Sequence, residues 1–281
     1  MRQDYFSKNK EKIKSIAENT NSYSFSDIAA LLSKVKEDGL VSRSMTASKF
    51  YDRLVDIGLL SFSVFIDGAY LTRYSFHKDI PDETLLLSLK KRAFLSMSSS
   101  LNYQGLSSYR DDFVFISQEQ SPKEDYNHSK LTQEAIDNAF SKDYRRTKKV
   151  GKYNNKHIVF LEPKNTKEFG VIEINGIKVS SVSRALVEMV VNVQYFRNTK
   201  ELISVFKKIK SNIDIDEVFD IVEKFDFIYP YHQSIGYILE KIGFKREKLY
   251  KFKECVSKLN FYTDKKQDNY KYIAYWKMYV M

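Results

Sequence analysis

The chain has 281 residues, 43% of them hydrophobic, with 20 Tyr and 20 Phe; that is enough for two domains at about 100 to 200 residues each, and it excludes disorder over most of the length. The one cysteine, Cys255, excludes an internal disulfide, and no apolar run nears the ~20 residues that cross a bilayer. The N-terminus is charged with no apolar core behind it, so the expectation is a cytoplasmic protein in a reducing setting, with no membrane partner.

Lys and Arg outnumber Asp and Glu by 46 to 36, a net +10 at pH 7. Such a surplus points to a polyanion, a membrane surface or mere solubility. Residues 1–80 carry 12 Lys/Arg against 10 Asp/Glu, so most of the excess lies beyond them. It peaks between Lys142 and Lys156, where seven cations oppose only Asp143.

Residues 2–19 read as a helix carrying Phe6, Ile13, Ile16 and Ala17. Ser24 with Asp27 makes a capping box ahead of Ile28, Leu31, Leu32 and Val35, which recur at helical spacing until Gly39. A third helix over 46–57 places Ala47, Phe50, Leu54 and Ile57 on one face and stops at Gly58. Strand-like runs at 59–66 and 69–76 flank Asp67-Gly68, a tight-hairpin pair. Three helices and a hairpin in this order predict a winged helix-turn-helix DNA-binding domain over residues 1–80. Pro81 marks the boundary to a larger mixed α+β domain over 81–281, with helices and an antiparallel sheet.

In a winged helix the third helix enters the major groove and the hairpin reaches the backbone. Ser44, Thr46, Ser48, Lys49, Tyr51 and Arg53 are the DNA-binding candidates on the helix, with Arg73 on the wing. The bland reading is a protein-docking module whose Lys49 and Arg53 merely form a solvated face with Asp52 and Asp56.

Further along, residues 85–103 read as helix, 113–117 as strand and 131–140 as helix. Residues 157–162 and 169–174 read as strands, and Asn175-Gly176 turns the chain back into 177–180. The run 183–193 is apolar nearly all round, hence a buried helix. Leu202, Ile203, Phe206 and Ile209, then Val218, Ile221, Val222 and Phe225, mark two amphipathic helices. A helix at 233–242 ends at Gly243, and the aromatic segments 260–263 and 270–280 suggest a final hairpin. Arg184 must find an acceptor if buried, and Glu188 lies on the same face at i+4, which predicts an ion pair.

No glycine loop for phosphates occurs, the four histidines (His77, His128, His157, His232) lack metal spacing, and HExxH and GxSxG are absent. No enzyme activity, cofactor or metal is expected. One enzymatic alternative is a metal-dependent nuclease on Glu162-Pro163-Lys164 with Asp143 or Asp112 upstream, although Pro163 would disturb the strand such a site requires. The basic window, interleaved with Tyr144 and Tyr153, offers Arg145, Arg146, Lys148, Lys149 and Lys152 as phosphate contacts. Equally, lysines of this kind guard a solvated edge strand.

Three segments carry a family likeness. FLSMSSSLNYQGL (residues 94–106) resembles the YLSHLSALYLHGLT stretch of AbiEi-type antitoxins and related transcriptional regulators, through Ser96, Ser99, Leu101, Gly105 and Leu106. VSSVSRALVE (179–188) is similar to their VTxxERTLID stretch, and YPYHQSIGYILE (229–240) to a YPYHQAIGFYLE segment of some members. Ser183 stands where the family usually has Glu, Ala185 where it has Thr, Glu188 where it has Asp, and Gln104 where it has His. The resemblance spans about residues 24–243. It implies the antitoxin of a type IV toxin-antitoxin pair linked to abortive infection and phage defence. Such a protein is a repressor that binds operator double-stranded DNA of its own promoter and counters a nucleotidyltransferase-like toxin, with no direct contact implied. The expected function is therefore DNA-binding transcription regulation, with the docking module and the nuclease as rivals.

Overall fold

The computed structural model describes residues 4–122, 131–266 and 269–281; positions 2 and 3 of the first expected helix, and His128, lie outside them. Contacts divide the chain into two compact units, Met1–Ala93 with Gly151–Asn154, and Phe94–Val150 with Asn155–Met281.

In the first unit, α1 (Tyr5–Glu18) is capped by Asp4, and α2 (Phe25–Glu37) starts on the capping box of Ser24 and Asp27. Thr46 caps α3 (Ala47–Asp56). Phe6, Ile13, Ile28, Val35, Phe50 and Leu54 of these helices bury in one shared core. Strands β1 (Leu60–Ile66) and β2 (Ala69–Ser75) form an antiparallel hairpin. Its turn has positive φ at both Asp67 (50°) and Gly68 (80°), the conformation that favours this residue pair. A two-way backbone bridge between Tyr23 and Tyr74 (2.7 and 2.8 Å) holds the hairpin to the α1–α2 connection. Helix α4 (Asp82–Ser88) completes the run.

The second unit begins where a continuous helix over 85–103 is expected, and here the structure differs. After α4 the chain passes Arg92 at positive φ (57°), forms the two-residue β3 (Phe94–Leu95), and turns at Met97 (φ 50°) into α5 (Met97–Tyr103). The apolar run serves a buried strand as readily as a helix, and only its neighbours decide. β4 (Phe113–Ser117) and α6 (Gln133–Phe140) follow. β5 (Val150–Tyr153) returns three of its residues to the first unit, where Phe65 faces Lys152 and Ile66 faces Gly151. Then come β6 (Lys156–Leu161), β7 (Val171–Ile174) and β8 (Ile177–Ser180), the last two joined by Asn175-Gly176 with φ of 49° and 78°.

Within this unit the strands run β6-β4-β3-β8-β7. β4 pairs with β6, and β3 with β8, in parallel; β3–β4 and β7–β8 are antiparallel. The sheet is thus mixed, a correction to the antiparallel expectation. Parallel neighbours need long crossovers, which local turn signals cannot report.

Helix α7 (Val182–Val191) is buried from Val182 to Val190, and α8 (Thr199–Lys208), α9 (Ile215–Phe225) and α10 (Tyr231–Ile242) join its core. Beyond α11 (Tyr250–Glu254), β9 (Phe261–Tyr262), β10 (Lys271–Ile273) and β11 (Met278–Val280) make a small sheet in the order β10-β11-β9. The final hairpin is therefore β10–β11 alone, and β9 joins β11 in parallel. Gln233, fully buried, anchors this sheet: its amide donates to the carbonyls of Leu259, Trp276 and Lys277 and accepts from the Ser257 amide. A Cβ on Gly236 would come within 2.4 Å of the Trp276 ring, so only glycine admits that indole.

At the centre of the unit stands Arg184, with no exposure. Its Nε donates to Glu188 at 2.8 Å, as the i+4 spacing predicts. Nη2 donates to Glu119 (3.0 Å), and Nη1 to the Thr166 hydroxyl (3.1 Å) and the Phe169 carbonyl. Glu188 also accepts from the Met97 amide (3.1 Å) and the Ser180 hydroxyl (2.8 Å). Glu119 accepts from the Thr166 and Glu168 amides. Burial alone would raise the Glu119 carboxyl; the Thr166 hydroxyl, the two amides and then Arg184 outweigh it and hold the group below the ordinary carboxylate range.

Removing one member of a buried charge cluster strands the others, at a cost of about 3 to 5 kcal/mol. Arg184→Met is expected to lose at least about 3 kcal/mol in urea unfolding, and a loss under 1 kcal/mol would contradict this role. Because the Glu119 pKa is depressed on folding, its stabilisation is complete above the unfolded carboxyl value and is lost as pH falls through the lower folded value. Glu119→Gln should therefore flatten the acid limb of the stability profile, which a urea series across acid pH measures.

Candidate nucleic-acid interface

The candidate helix α3 has two distinct faces. Phe50 and Leu54 are buried, with the Phe6 ring edge-on to Phe50 at 6.1 Å. Thr46 at the N-cap, Ser48 and Lys49 are exposed at the N-terminal end of α3, as are Asp52 and Asp56 further along; Ser44, expected on the helix, is exposed in the turn before it, because the helix starts only after the Thr46 cap. The Ser44 hydroxyl bonds that of Ser42 (2.7 Å), and the Thr46 hydroxyl accepts from the Lys49 amide (3.3 Å).

The other candidates on this unit are engaged inside it. Tyr51 packs against Tyr74 (5.1 Å between centroids) and Phe25 (6.0 Å), and burial followed by the Tyr74 and Asp52 charges pushes its phenol up. Arg53 pairs with Asp4, donates to the Ser7 hydroxyl (3.0 Å) and lies over the Phe6 ring, so it fastens α3 to α1. Arg73 donates through Nε (3.0 Å) and Nη2 (2.8 Å) to the Ser88 carbonyl, which locks the hairpin to α4. What the hairpin exposes instead is aromatic: Phe65 and Tyr70, 46% and 72% exposed, lie 5.1 Å apart near its tip.

The basic window is divided between the units. Lys152, exposed, sits on β5 opposite Phe65, and Asn154 in the following turn donates to Asp82 at the start of α4 (3.1 Å). A Cβ on Gly151 would come within 2.3 Å of the Phe65 carbonyl oxygen, so a glycine is what lets β5 approach β1. In the second unit Arg145 and Lys148 are exposed, Arg146 donates to the Gln194 carbonyl (3.0 Å), and Lys149 pairs with Glu162 at 2.6 Å. Lys142 and Arg145 border a cavity of about 550 Å³ walled by Tyr144, Tyr229 and Tyr262, with Lys265 at its edge. Burial, then the neighbouring Arg145 charge, lowers the Lys265 ammonium, and burial drives the Tyr144 phenol up to about 12.

The proposed nuclease pair is not gathered into one site. Glu162 turns to Lys149, and Lys164 pairs with Asp226 at 3.0 Å. His77 meets the Glu18 carbonyl and His157 stacks on Phe113. Among the described residues, one group could hold a metal: Glu223, His232 and Cys255, whose ligand atoms lie within 4.8 Å of one another. Sequence spacing does not mark it, because the three come from α9, α10 and the end of α11.

No protein-family model matches the chain, and no curated protein matches it. A solved structure that is similar over nearly the whole length is the crystal structure of the RV2827C protein from Mycobacterium tuberculosis. The TM-score is 0.55 at 10% identity, over 97% of this chain and 90% of that one. The likeness at this identity is one of fold alone, and the class it defines is a mixed α+β protein. No helix among the described residues is long and apolar enough to cross a membrane.

The close approach at Gly151 is directly testable. Gly151→Val should separate β5 from β1, seen as faster hydrogen exchange at residues 150–153 and 65–66 while the α1–α3 core stays protected. Unchanged exchange at these amides would show that the pairing does not depend on the missing side chain.

Proposed function

We propose that the protein is a DNA-binding transcriptional regulator whose first unit acts as a winged helix, with α3 as the helix that enters the groove. The observation that carries this reading is the polar N-terminal end of α3: Ser48 and Lys49 on the helix, its Thr46 cap and Ser44 in the turn before it stand exposed, while Phe50 and Leu54 are buried. Recognition helices meet base edges with their N-terminal residues, where the helix dipole also favours phosphate. The helix-helix-helix-hairpin order supports it, as does Lys152, which β5 adds beside the hairpin.

The resemblance of residues 94–106, 179–188 and 229–240 to AbiEi-type antitoxins supports the more specific proposal: a repressor of its own operon that counters a nucleotidyltransferase-like toxin in phage defence. In this chain those segments supply polar joints of the second unit. The Ser99 hydroxyl accepts from the Phe115 amide and donates to the Phe113 carbonyl, Ser117 donates to Ser96, and Arg184, Glu188 and Gln233 act as described. They bear on kinship, while the DNA reading rests on the first unit.

One observation favours a second reading. The exposed Phe65 and Tyr70 at the hairpin tip suit a protein-docking surface as well as a wing, since Arg73 is turned inward. The two readings part at Lys49. If it neutralises a phosphate, Lys49→Ala should weaken binding about equally on all duplexes and reduce the slope of log affinity against log salt by about one. Its thermal stability should match the parent. An unchanged slope would remove α3 from the DNA interface and favour the docking module. Arg53→Ala is a poor probe, because it also releases α1.

A further inference from the structure

Three helices of the second unit bring a nitrogen, an oxygen and a sulfur ligand to one point. Glu223 lies in the last turn of α9, His232 in the first turn of α10, and Cys255 at the C-cap of α11. The His232 Nε2 is 2.7 Å from a Glu223 carboxylate oxygen, and all three ligand atoms lie within 4.8 Å of one another. The imidazole is held in place by the rings of Phe219 and Phe252, at 5.6 and 6.4 Å. Its side chain is 20% exposed and that of Glu223 55%, and Cys255 is exposed, so an ion has an open path in.

A surface Glu–His pair is common and needs no metal. It does not account for the thiol beside it. Free cysteine is among the most buried residue types, yet this one is exposed and next to Glu254.

We propose that Glu223, His232 and Cys255 form a zinc site with a fourth position left to water. A mixed S/N/O donor set with an imidazole suits Zn²⁺, whereas Mg²⁺ and Ca²⁺ take oxygen. Zinc bond lengths of about 2.0 to 2.3 Å put tetrahedral ligands about 3.3 to 3.8 Å apart. The His232–Glu223 contact therefore opens slightly and the thiol closes in, movements within reach of side-chain rotation at an exposed site. The thiol proton leaves to solvent as zinc binds. The ion would tie α9, α10 and α11 together next to Gln233, the anchor of the C-terminal sheet. This site is independent of the DNA reading.

The test uses the full chain, freed of metal with a chelator and then titrated with Zn²⁺ alone, or with Co²⁺ as a spectroscopic probe. The expected result is one zinc retained per chain through gel filtration, a higher melting temperature with zinc, and a thiolate-to-cobalt charge-transfer band. Cys255→Ser should abolish that band, and His232→Gln should weaken binding by at least about tenfold, the scale on which even outer partners of a metal site act. Metal-free Cys255→Ser should melt with the metal-free parent, since that side chain is exposed. Failure to retain zinc at equimolar metal would overturn the site, and so would equal retention by parent and both variants, which would place the metal elsewhere.

Discussion

A guanidinium with no access to water must be answered by oxygens, and the answer to Arg184 sets the course of several separate segments. Glu188 comes from the same helix, Glu119 follows β4, and Thr166 and Phe169 lie in the connection to β7. Through Glu188 the network reaches the end of β8 and the first amide of α5. Phe94 and Phe225 close over the guanidinium at 4.8 and 5.2 Å. Gly170, at φ 75°, passes where a Cβ would be 3.2 Å from that of Arg184. Two buried carboxylates and one buried cation are each costly alone, and only this geometry makes them tolerable together. The consequence is that α7 is bonded to the end of β8, the start of α5, Glu119 beyond β4 and the connection to β7.

Local chemistry was readable from the sequence. The Ser24 capping box, the Asp67-Gly68 and Asn175-Gly176 turns and the Arg184–Glu188 pair each involve residues a few positions apart, so spacing alone reports them. What escaped depends on distant partners. Glu119 is 65 positions from Arg184, and nothing near it announces a buried carboxylate. β3 is two residues long and exists because β4 and β8 flank it. The parallel pairs, and β9 beside β11, leave no hairpin signature.

The candidate interface shows the same divide. Sequence placed Lys49, Arg53 and Arg73 on one list of cations, but their environments differ. Arg53 and Arg73 bond Asp4, Ser7 and the Ser88 carbonyl within their own unit, and only Lys49 is exposed. Arg146 and Lys149 likewise meet Gln194 and Glu162. Pairs with carboxylates such as Asp4 and Glu162 are already subtracted in the formal net charge of +10, and bonds to the Ser88 and Gln194 carbonyls fix where a cation points without cancelling its charge. Over residues 1–80 the 12 Lys/Arg are nearly balanced by 10 Asp/Glu, so the first unit would owe its selectivity to the polar residues at the start of α3 more than to bulk attraction.

That balance makes one comparison decisive. The affinity of the purified protein for a duplex from directly upstream of its own coding sequence would be measured against a scrambled duplex of equal length across a salt series. A sequence-reading α3 is expected to prefer the upstream duplex by about a thousandfold or more and to keep that preference near physiological salt. Equal binding to both duplexes that disappears as salt rises would contradict operator recognition and leave only phosphate attraction.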